Sequence, residues 1–91
     1  MVAVDLFSHA AKDYLCMTDR YSGNCWVHML RSTTTAAITN QLTNWFLELG
    51  IPTRLRSDKG PQFRKDFNDY CADLNIDKET SSTYYPQSNG L

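Results

Sequence analysis

The stretch "LRSDKGPQF", residues 55–63, joins a short apolar strand to the start of a helix and places Asp58 at the junction. Proline suits the first turn of a helix, so Pro61 predicts that a helix begins near it. An aspartate just before a helix is a common N-cap, and the stretch by itself favours that role for Asp58. The alternative is a ligand site, because ligands bind at the carboxyl ends of strands in open α/β sheets.

Size and composition describe one small globular domain. The chain has 91 residues and a formal net charge of −1, and this near-neutral balance is not that of a protein that binds nucleic acid over its whole surface. It has no apolar run long enough to span a membrane and no signal peptide, so we expect an intracellular protein without a membrane partner. Its three cysteines form no C-x-x-C pair, which favours a reducing interior over a disulfide framework or a zinc site.

The first third of the chain predicts three strands. "VAVDLFS" at 2–8 alternates, with Val2, Val4 and Leu6 on one face and Asp5 on the other. "YLCMTD" at 14–19 is apolar at nearly every position and predicts a central strand, and "CWVHML" at 25–30 is rich in large and β-branched residues. Because the connections are short, the three strands form an antiparallel meander.

From Thr34 the hydrophobic period changes to that of a helix. Ser32 and Thr33 are the candidate N-caps, and Gly50 followed by Pro52 ends the helix. The apolar stripe that faces the core consists of Ile38, Leu42, Trp45, Phe46 and Leu49.

The remaining elements complete a βββαβαβ order. "TRLRS" at 53–57 predicts a fourth strand and "IDKETSS" at 76–82 a fifth, with the helix near Pro61 between them. The stripe of that helix consists of Phe63, Phe67, Tyr70, Cys71 and Leu74. Since helical crossovers are right-handed, the fourth strand is expected beside the first and parallel to it, which gives the order 3-2-1-4-5. A flavodoxin-like sheet is the alternative fold, although no glycine-rich phosphate loop accompanies it.

This topology brings two carboxylates together. Asp5 lies on the first strand and Asp58 at the carboxyl end of its expected neighbour, and adjacent strands are only ~4.8 Å apart. Converging carboxylates repel unless a cation lies between them. Mg²⁺ or Mn²⁺ suits oxygen ligands of this kind, and Gly60 would let the backbone turn away tightly.

Five basic residues surround Asp58 within twelve positions: Arg54, Arg56, Lys59, Arg64 and Lys65. They are consistent with a solvated helix start that Asp66 and Asp69 balance, or with a rim that binds phosphate groups. Charge alone favours the solvated helix start.

Four segments resemble the catalytic core of retroviral-type integrases, in that family's order and approximate spacing. They are "DLF" at 5–7, "TDRYSG" at 18–23, "GIPTRLRSDKGPQF" at 50–63 and "YYPQSNG" at 84–90. The last two segments are specific, and the closest resemblance is to the integrases of gypsy-type LTR retrotransposons. The resemblance implies that residues 1–91 are one partial catalytic core domain with an α/β, ribonuclease H-like fold.

The resemblance also implies functions for particular residues. Asp5 and Asp58 match the first two of three metal-binding catalytic acids, which use Mg²⁺ or Mn²⁺. Complete relatives process DNA ends and join them to target DNA, so DNA is the implied partner, together with a homodimer or larger assembly, and the nucleus is the implied location. The DNA-binding residues implied in this chain are Lys59, Arg64, Tyr84, Tyr85, Gln87, Ser88 and Asn89.

The third acid of the family is a glutamate that follows the "PQSNG" segment, and this chain stops at Leu91, before it. Glu79 precedes that segment, where the family has no metal ligand. Lys59 and Thr83 are smaller departures that remove no ligand. We therefore expect the 91-residue chain to be inactive in end processing and joining, and a non-catalytic domain reused for nucleic-acid or protein binding is the alternative function.

A further expectation concerns stability. If both crossovers are right-handed, both helices pack on the same face of the sheet. The central strand "YLCMT" at 14–18 is apolar on both faces, so its other face would be left without cover. We expect the isolated chain to be poorly stable or to associate through that face, and an extension past Leu91 to stabilise it.

Overall fold

The computed structural model of the chain describes residues 1–80. The strands are β1 (Val2–His9), β2 (Lys12–Asp19), β3 (Cys25–Leu30), β4 (Arg54–Ser57) and β5 (Asp77–Thr80). The helices are α1 (Thr35–Leu49) and α2 (Lys65–Asp73), and a short 3₁₀ turn, Pro61–Phe63, precedes α2. The predicted element order is confirmed, and residues 81 and 82 of the predicted fifth strand lie outside the described residues.

The five strands form one mixed sheet in the order β3-β2-β1-β4-β5. β1, β2 and β3 pair antiparallel, whereas β4 runs parallel to both β1 and β5. The predicted order 3-2-1-4-5 is therefore confirmed. The flavodoxin-like alternative is wrong, because that fold has a different strand order and a parallel sheet at its centre.

The N-cap of helix α1 lies one residue after the later of its two predicted caps. Thr34 is the N-cap, and its hydroxyl oxygen accepts a hydrogen bond from the amide of Ala37 at 3.2 Å. The prediction of Ser32 or Thr33 as the N-cap is wrong. The Ser32 hydroxyl nevertheless donates a hydrogen bond to the Thr34 hydroxyl at 3.1 Å. Gly50 ends the helix as predicted, with a φ of 100° that favours glycine.

The second helix is broken at its start. Pro61 opens the 3₁₀ turn, and α2 begins only at Lys65, because Arg64 between them has a non-helical backbone with φ −100° and ψ −128°. Phe63 still packs edge-on against Phe67, with 5.1 Å between ring centroids. The apolar stripe therefore continues across the break.

The core lies on one face of the sheet. The strand residues that reach it are Val2, Val4, Leu15, Met17, Leu30 and Leu55. The helical residues packed against them are Ile38, Leu42, Trp45, Phe46, Phe67 and Cys71, together with Phe63 of the 3₁₀ turn. Leu49 is 46% exposed, so its assignment to the buried stripe is wrong.

The opposite face carries no helix among residues 1–80. Phe7 of β1 stacks on Tyr14 of β2 there, with 5.1 Å between ring centroids. Val27 and Met29 of β3 are 53% and 45% exposed on the same face. Both helices thus cover one face, as expected, whereas association through the other face stays a prediction. Neither α1 nor α2 has the length and hydropathy needed to cross a bilayer.

Two leucines of α1 provide a matched test of the one-sided core. Leu42 is fully buried, whereas Leu47 is 82% exposed on the same helix. We expect Leu42→Ala to lower the free energy of unfolding by about 2–5 kcal/mol, because it removes buried methyl groups and leaves a cavity. We expect Leu47→Ala to change it by less than about 0.5 kcal/mol. Urea denaturation of both variants measures the difference, and equal losses would contradict this assignment of the core.

Candidate metal and nucleic-acid site

The parallel pairing of β1 with β4 sets the relation between the two predicted acids. Val2 pairs with Leu55 and Ala3 with Arg56. Continuing this register by two residues brings Asp58, just past the end of β4, level with Asp5 on β1. Asp5 lies on the face opposite the buried Val2 and Val4, and Asp58 follows Arg56 in the same alternation. This register places the two predicted carboxylates at the same level and on the same face of the sheet, and their role as metal ligands stays a prediction.

Asp58 belongs to the turn that leaves β4 rather than to a helix cap. Its Oδ1 accepts a hydrogen bond from the amide of Gly60 at 2.8 Å, two residues ahead. Gly60 is the residue before the 3₁₀ turn, and no side chain caps that turn or α2. The cap role that the local sequence favours is therefore wrong, and the hydrogen bond instead orients the carboxylate.

The turn after Asp58 is held against α1. The hydroxyl of Thr35, in the first turn of α1, donates to the carbonyl of Gln62 at 3.0 Å. Gly60 leaves room for the carboxylate, since a Cβ at that position would lie 3.0 Å from Asp58 Oδ1 and 2.9 Å from Gln62 Oε1. A side chain at this position would shift those two oxygen atoms. The dihedral angles do not require glycine, because φ −57° and ψ 153° suit other residues.

The donor set fits a hard divalent cation. Asp5 is exposed, and its Oδ1 accepts a hydrogen bond from the amide of Leu6 at 2.9 Å. Within residues 1–80, each acid makes its hydrogen bond through Oδ1, so Oδ2 of both remains for a ligand. Carboxylate oxygens are what Mg²⁺ and Mn²⁺ prefer, but the same part of the chain brings no third acid, histidine or cysteine into a metal-binding group with them.

The predicted basic cluster divides between two places. Arg54 and Arg56 of β4 both form ion pairs with Glu79 of the neighbouring β5, the second at 3.2 Å. Hydrogen bonding from Arg54, followed by that from Arg56, holds the pKa of Glu79 below its usual value. Glu79 is thus paired with the two arginines of the neighbouring strand. That it is not the missing acid stays a prediction.

Lys59 and Arg64 instead line a shallow groove beside the turn of Asp58. Phe63, Asn68, Lys78 and Thr80 complete its lining. The ammonium of Lys78 lies over the ring of Phe67, 5.8 Å from its centroid, and faces the helical side of the sheet. Three cations thus surround a groove that could hold a phosphate group.

Sequence reasoning missed Lys78 and Asn68 as members of this groove. Because side chains alternate along a strand, the sequence does predict that Lys78 and Glu79 lie on opposite faces of β5. Which face Lys78 occupies depends on the register of β5. The predicted DNA-binding residues Tyr84, Tyr85, Gln87, Ser88 and Asn89 lie outside the described residues. Their assignment stays a prediction.

Comparison with known proteins assigns the family. The profile of the integrase core domain matches residues 1–86. The chain belongs to the integrase core domain family. It is 30% identical over 74 residues to the Gag-Pro-Pol polyprotein of Simian retrovirus SRV-1, and 34% identical over 77 residues to the Pro-Pol polyprotein of Feline foamy virus.

These alignments cover 80% and 84% of the chain but only 4% and 7% of the polyproteins. The predicted membership of the integrase catalytic cores is confirmed. The narrower resemblance to gypsy-type elements stays a prediction.

Solved structures agree on the fold. The catalytic core domain of BIV integrase superposes with a TM-score of 0.81 at 22% identity, over 98% of this chain and 59% of that one. The HTLV-2 integrase catalytic core domain in complex with magnesium gives 0.75 at 21% identity, over 88% of this chain and 57% of that one. The integrase core therefore has the predicted ribonuclease H-like architecture here.

The turn of Asp58 supplies a test that leaves every predicted ligand in place. We expect Gly60→Ala to weaken Mn²⁺ binding several-fold, up to about tenfold, because the new methyl group displaces the Asp58 carboxylate while the backbone angles remain allowed. Mn²⁺-induced NMR line broadening measures the affinity. The double variant Gly60→Ala/Gln62→Ala is the control: it removes the crowding at Gln62 and should bind as weakly as Gly60→Ala. Unchanged affinity in both would contradict the placement of the carboxylate.

Proposed function

We propose that this chain carries the metal- and DNA-binding part of an integrase catalytic core. The observation that supports it most directly is the parallel register of β1 and β4, which, continued by two residues, places Asp58 just past β4 and level with Asp5. Oxygen donors at this edge suit Mg²⁺ or Mn²⁺. Such ions, when bound, supply positive charge and polarise water and phosphodiester oxygens.

The chain's own residues prepare this chemistry in distinct ways. The amide of Gly60 fixes one oxygen of Asp58 and directs the other outward. Lys59, Arg64 and Lys78 line a groove beside this turn, on the helical side of the sheet, where they would bind backbone phosphates of DNA. Their role is positioning, and their charges add attraction that depends on salt.

In the complete protein the reaction class is metal-dependent phosphodiester chemistry. Water would cleave a bond near the end of the element's DNA, and the exposed 3′-hydroxyl would then attack target DNA. The chain spans 4–7% of the curated polyproteins described above, so this activity is proposed for a complete integrase that contains the core.

Assembly and location belong to the same proposal. HTLV-2 integrase core has been described in a trimeric form, and a simian T-cell lymphotropic virus intasome matches this chain with a TM-score of 0.82 at 23% identity, over 98% of this chain and 34% of that one. By analogy, the complete protein would act with other copies on DNA. A protein that joins DNA to a chromosome would work in the nucleus.

The metal part of the proposal predicts weak binding at two acids. We expect this chain to bind Mn²⁺ or Mg²⁺ in the millimolar range, because Asp5 and Asp58 supply few protein ligands. Line broadening by Mn²⁺ should centre on both, and Asp5→Asn or Asp58→Asn should abolish it. Asp69→Asn on α2 makes the same change of charge at a distant exposed position and should leave it intact. Broadening that ignores Asp5 and Asp58 would refute the paired site.

The DNA part of the proposal predicts that each groove cation contributes to binding. We expect Lys59→Ala, Arg64→Ala and Lys78→Ala each to weaken binding to duplex DNA and to reduce the slope of log affinity against log salt by about 1, because each removes a phosphate contact. Lys12→Ala, at the start of β2, is the matched control and should change neither quantity. Fluorescence anisotropy at several salt concentrations measures both.

The same measurements distinguish the integrase site from the alternative function. A reused non-catalytic domain would bind DNA through the groove without any dependence on Asp5 and Asp58. DNA binding that Mn²⁺ strengthens in the unmodified chain, and not in Asp58→Asn, supports the integrase site. Failure of all three cation variants to weaken binding would contradict the groove as the interface.

A further inference from the structure

Two cysteines meet on the sheet face that the helices leave uncovered. Cys16 of β2 and Cys25 of β3 have their sulfur atoms 3.3 Å apart. Cys16 pairs with Val27 and Cys25 with Thr18, so the two cysteines are diagonal neighbours on adjacent strands. Diagonal side chains on one face of an antiparallel pair can touch, and these do.

The surroundings leave the pair open to small reagents. Cys25 is exposed and Cys16 is partly exposed. The hydroxyl of Thr18 lies 3.9 Å from the sulfur of Cys16 and 3.8 Å from that of Cys25, so a polar group flanks both thiols. A disulfide bond measures about 2.0 Å, so the two sulfurs must approach by roughly 1.3 Å, with a small adjustment of the strands, to form one.

We propose that Cys16 and Cys25 form a reversible redox modification site that closes to an intramolecular disulfide between β2 and β3. The reagent class is a low-molecular-weight disulfide such as oxidised glutathione. The exposed Cys25 thiolate attacks the reagent and releases one thiol, which leaves a mixed disulfide on Cys25. Cys16 then attacks the Cys25 sulfur and releases the second thiol. The protein loses two hydrogen atoms, and the reagent is reduced to two thiols.

The third cysteine provides an internal comparison. Cys71 of α2 is only 1% exposed, in the core on the covered face. Burial raises the pKa of its thiol to about 11, which keeps it protonated and unreactive near neutral pH. Burial and the contact with Cys25 also raise the pKa of Cys16. The exposure of the pair and the contact between its sulfur atoms are therefore what distinguish it from Cys71.

The pair also has a defined position relative to the acids. Cys16 is the strand partner of Asp5 across β1 and β2. The disulfide would thus form beside the proposed metal carboxylate, but its chemistry needs neither metal nor DNA. The modification site and the integrase proposal can therefore fail independently.

The test treats the natively folded 91-residue chain with oxidised glutathione and follows its intact mass with time. We expect the unmodified chain and Cys71→Ser to lose two hydrogen atoms without retaining glutathione, and peptide mapping to join Cys16 to Cys25. Cys71→Ala replaces Cys71→Ser if the buried hydroxyl prevents folding. Reduction with dithiothreitol should restore the starting mass.

The single-thiol variants show whether the two sulfurs act together. In Cys16→Ser and Cys25→Ser the closing partner is missing, so the glutathione adduct on the remaining thiol should persist at least on the order of 100-fold longer than in the unmodified chain. A persistent adduct in the unmodified chain, a bond to Cys71, a bond between two chains, or no reaction would each overturn the proposal.

Discussion

The parallel pairing of β1 with β4 is the constraint on which the rest of this structure depends. It joins the antiparallel meander at the start of the chain to the helical second half, across a crossover formed by α1. The two strands make only two residue pairs, Val2 with Leu55 and Ala3 with Arg56. These pairs set the register between the meander and the parallel strands β4 and β5. A slip of one residue would turn Leu55 out of the core and Arg56 into it, so the hydrophobic effect holds the register.

The same pairing explains why the two predicted acids and the core lie on opposite faces of the sheet. The residues of β1 and β4 that alternate inward meet the stripes of α1 and α2, and those that alternate outward carry the acids and arginines. A charge inside the core would be costly to bury. The proposed metal and redox sites therefore share the open face of the sheet, whereas the groove of Lys59, Arg64 and Lys78 lies on its helical side.

Sequence patterns predicted the elements well where periodicity was strong, as in α1 and the three meander strands. They failed at local details that depend on neighbours. The local stretch favoured a helix cap at Asp58, but its carboxylate accepts from the amide of Gly60, and no side chain caps the 3₁₀ turn or α2. Leu49 read as buried, but the helix ends there and leaves it half exposed.

The sequence by itself determined the element order, the faces of the helices and strands, and the family, because hydrophobic periods and specific short segments are properties of neighbouring residues. Only the tertiary structure decided which distant groups meet. Glu79 pairs with Arg54 and Arg56, Lys78 joins the groove of Lys59, and Cys16 touches Cys25. Each of these contacts depends on strand register, which the packing of the entire sheet against its helices fixes and no local pattern contains.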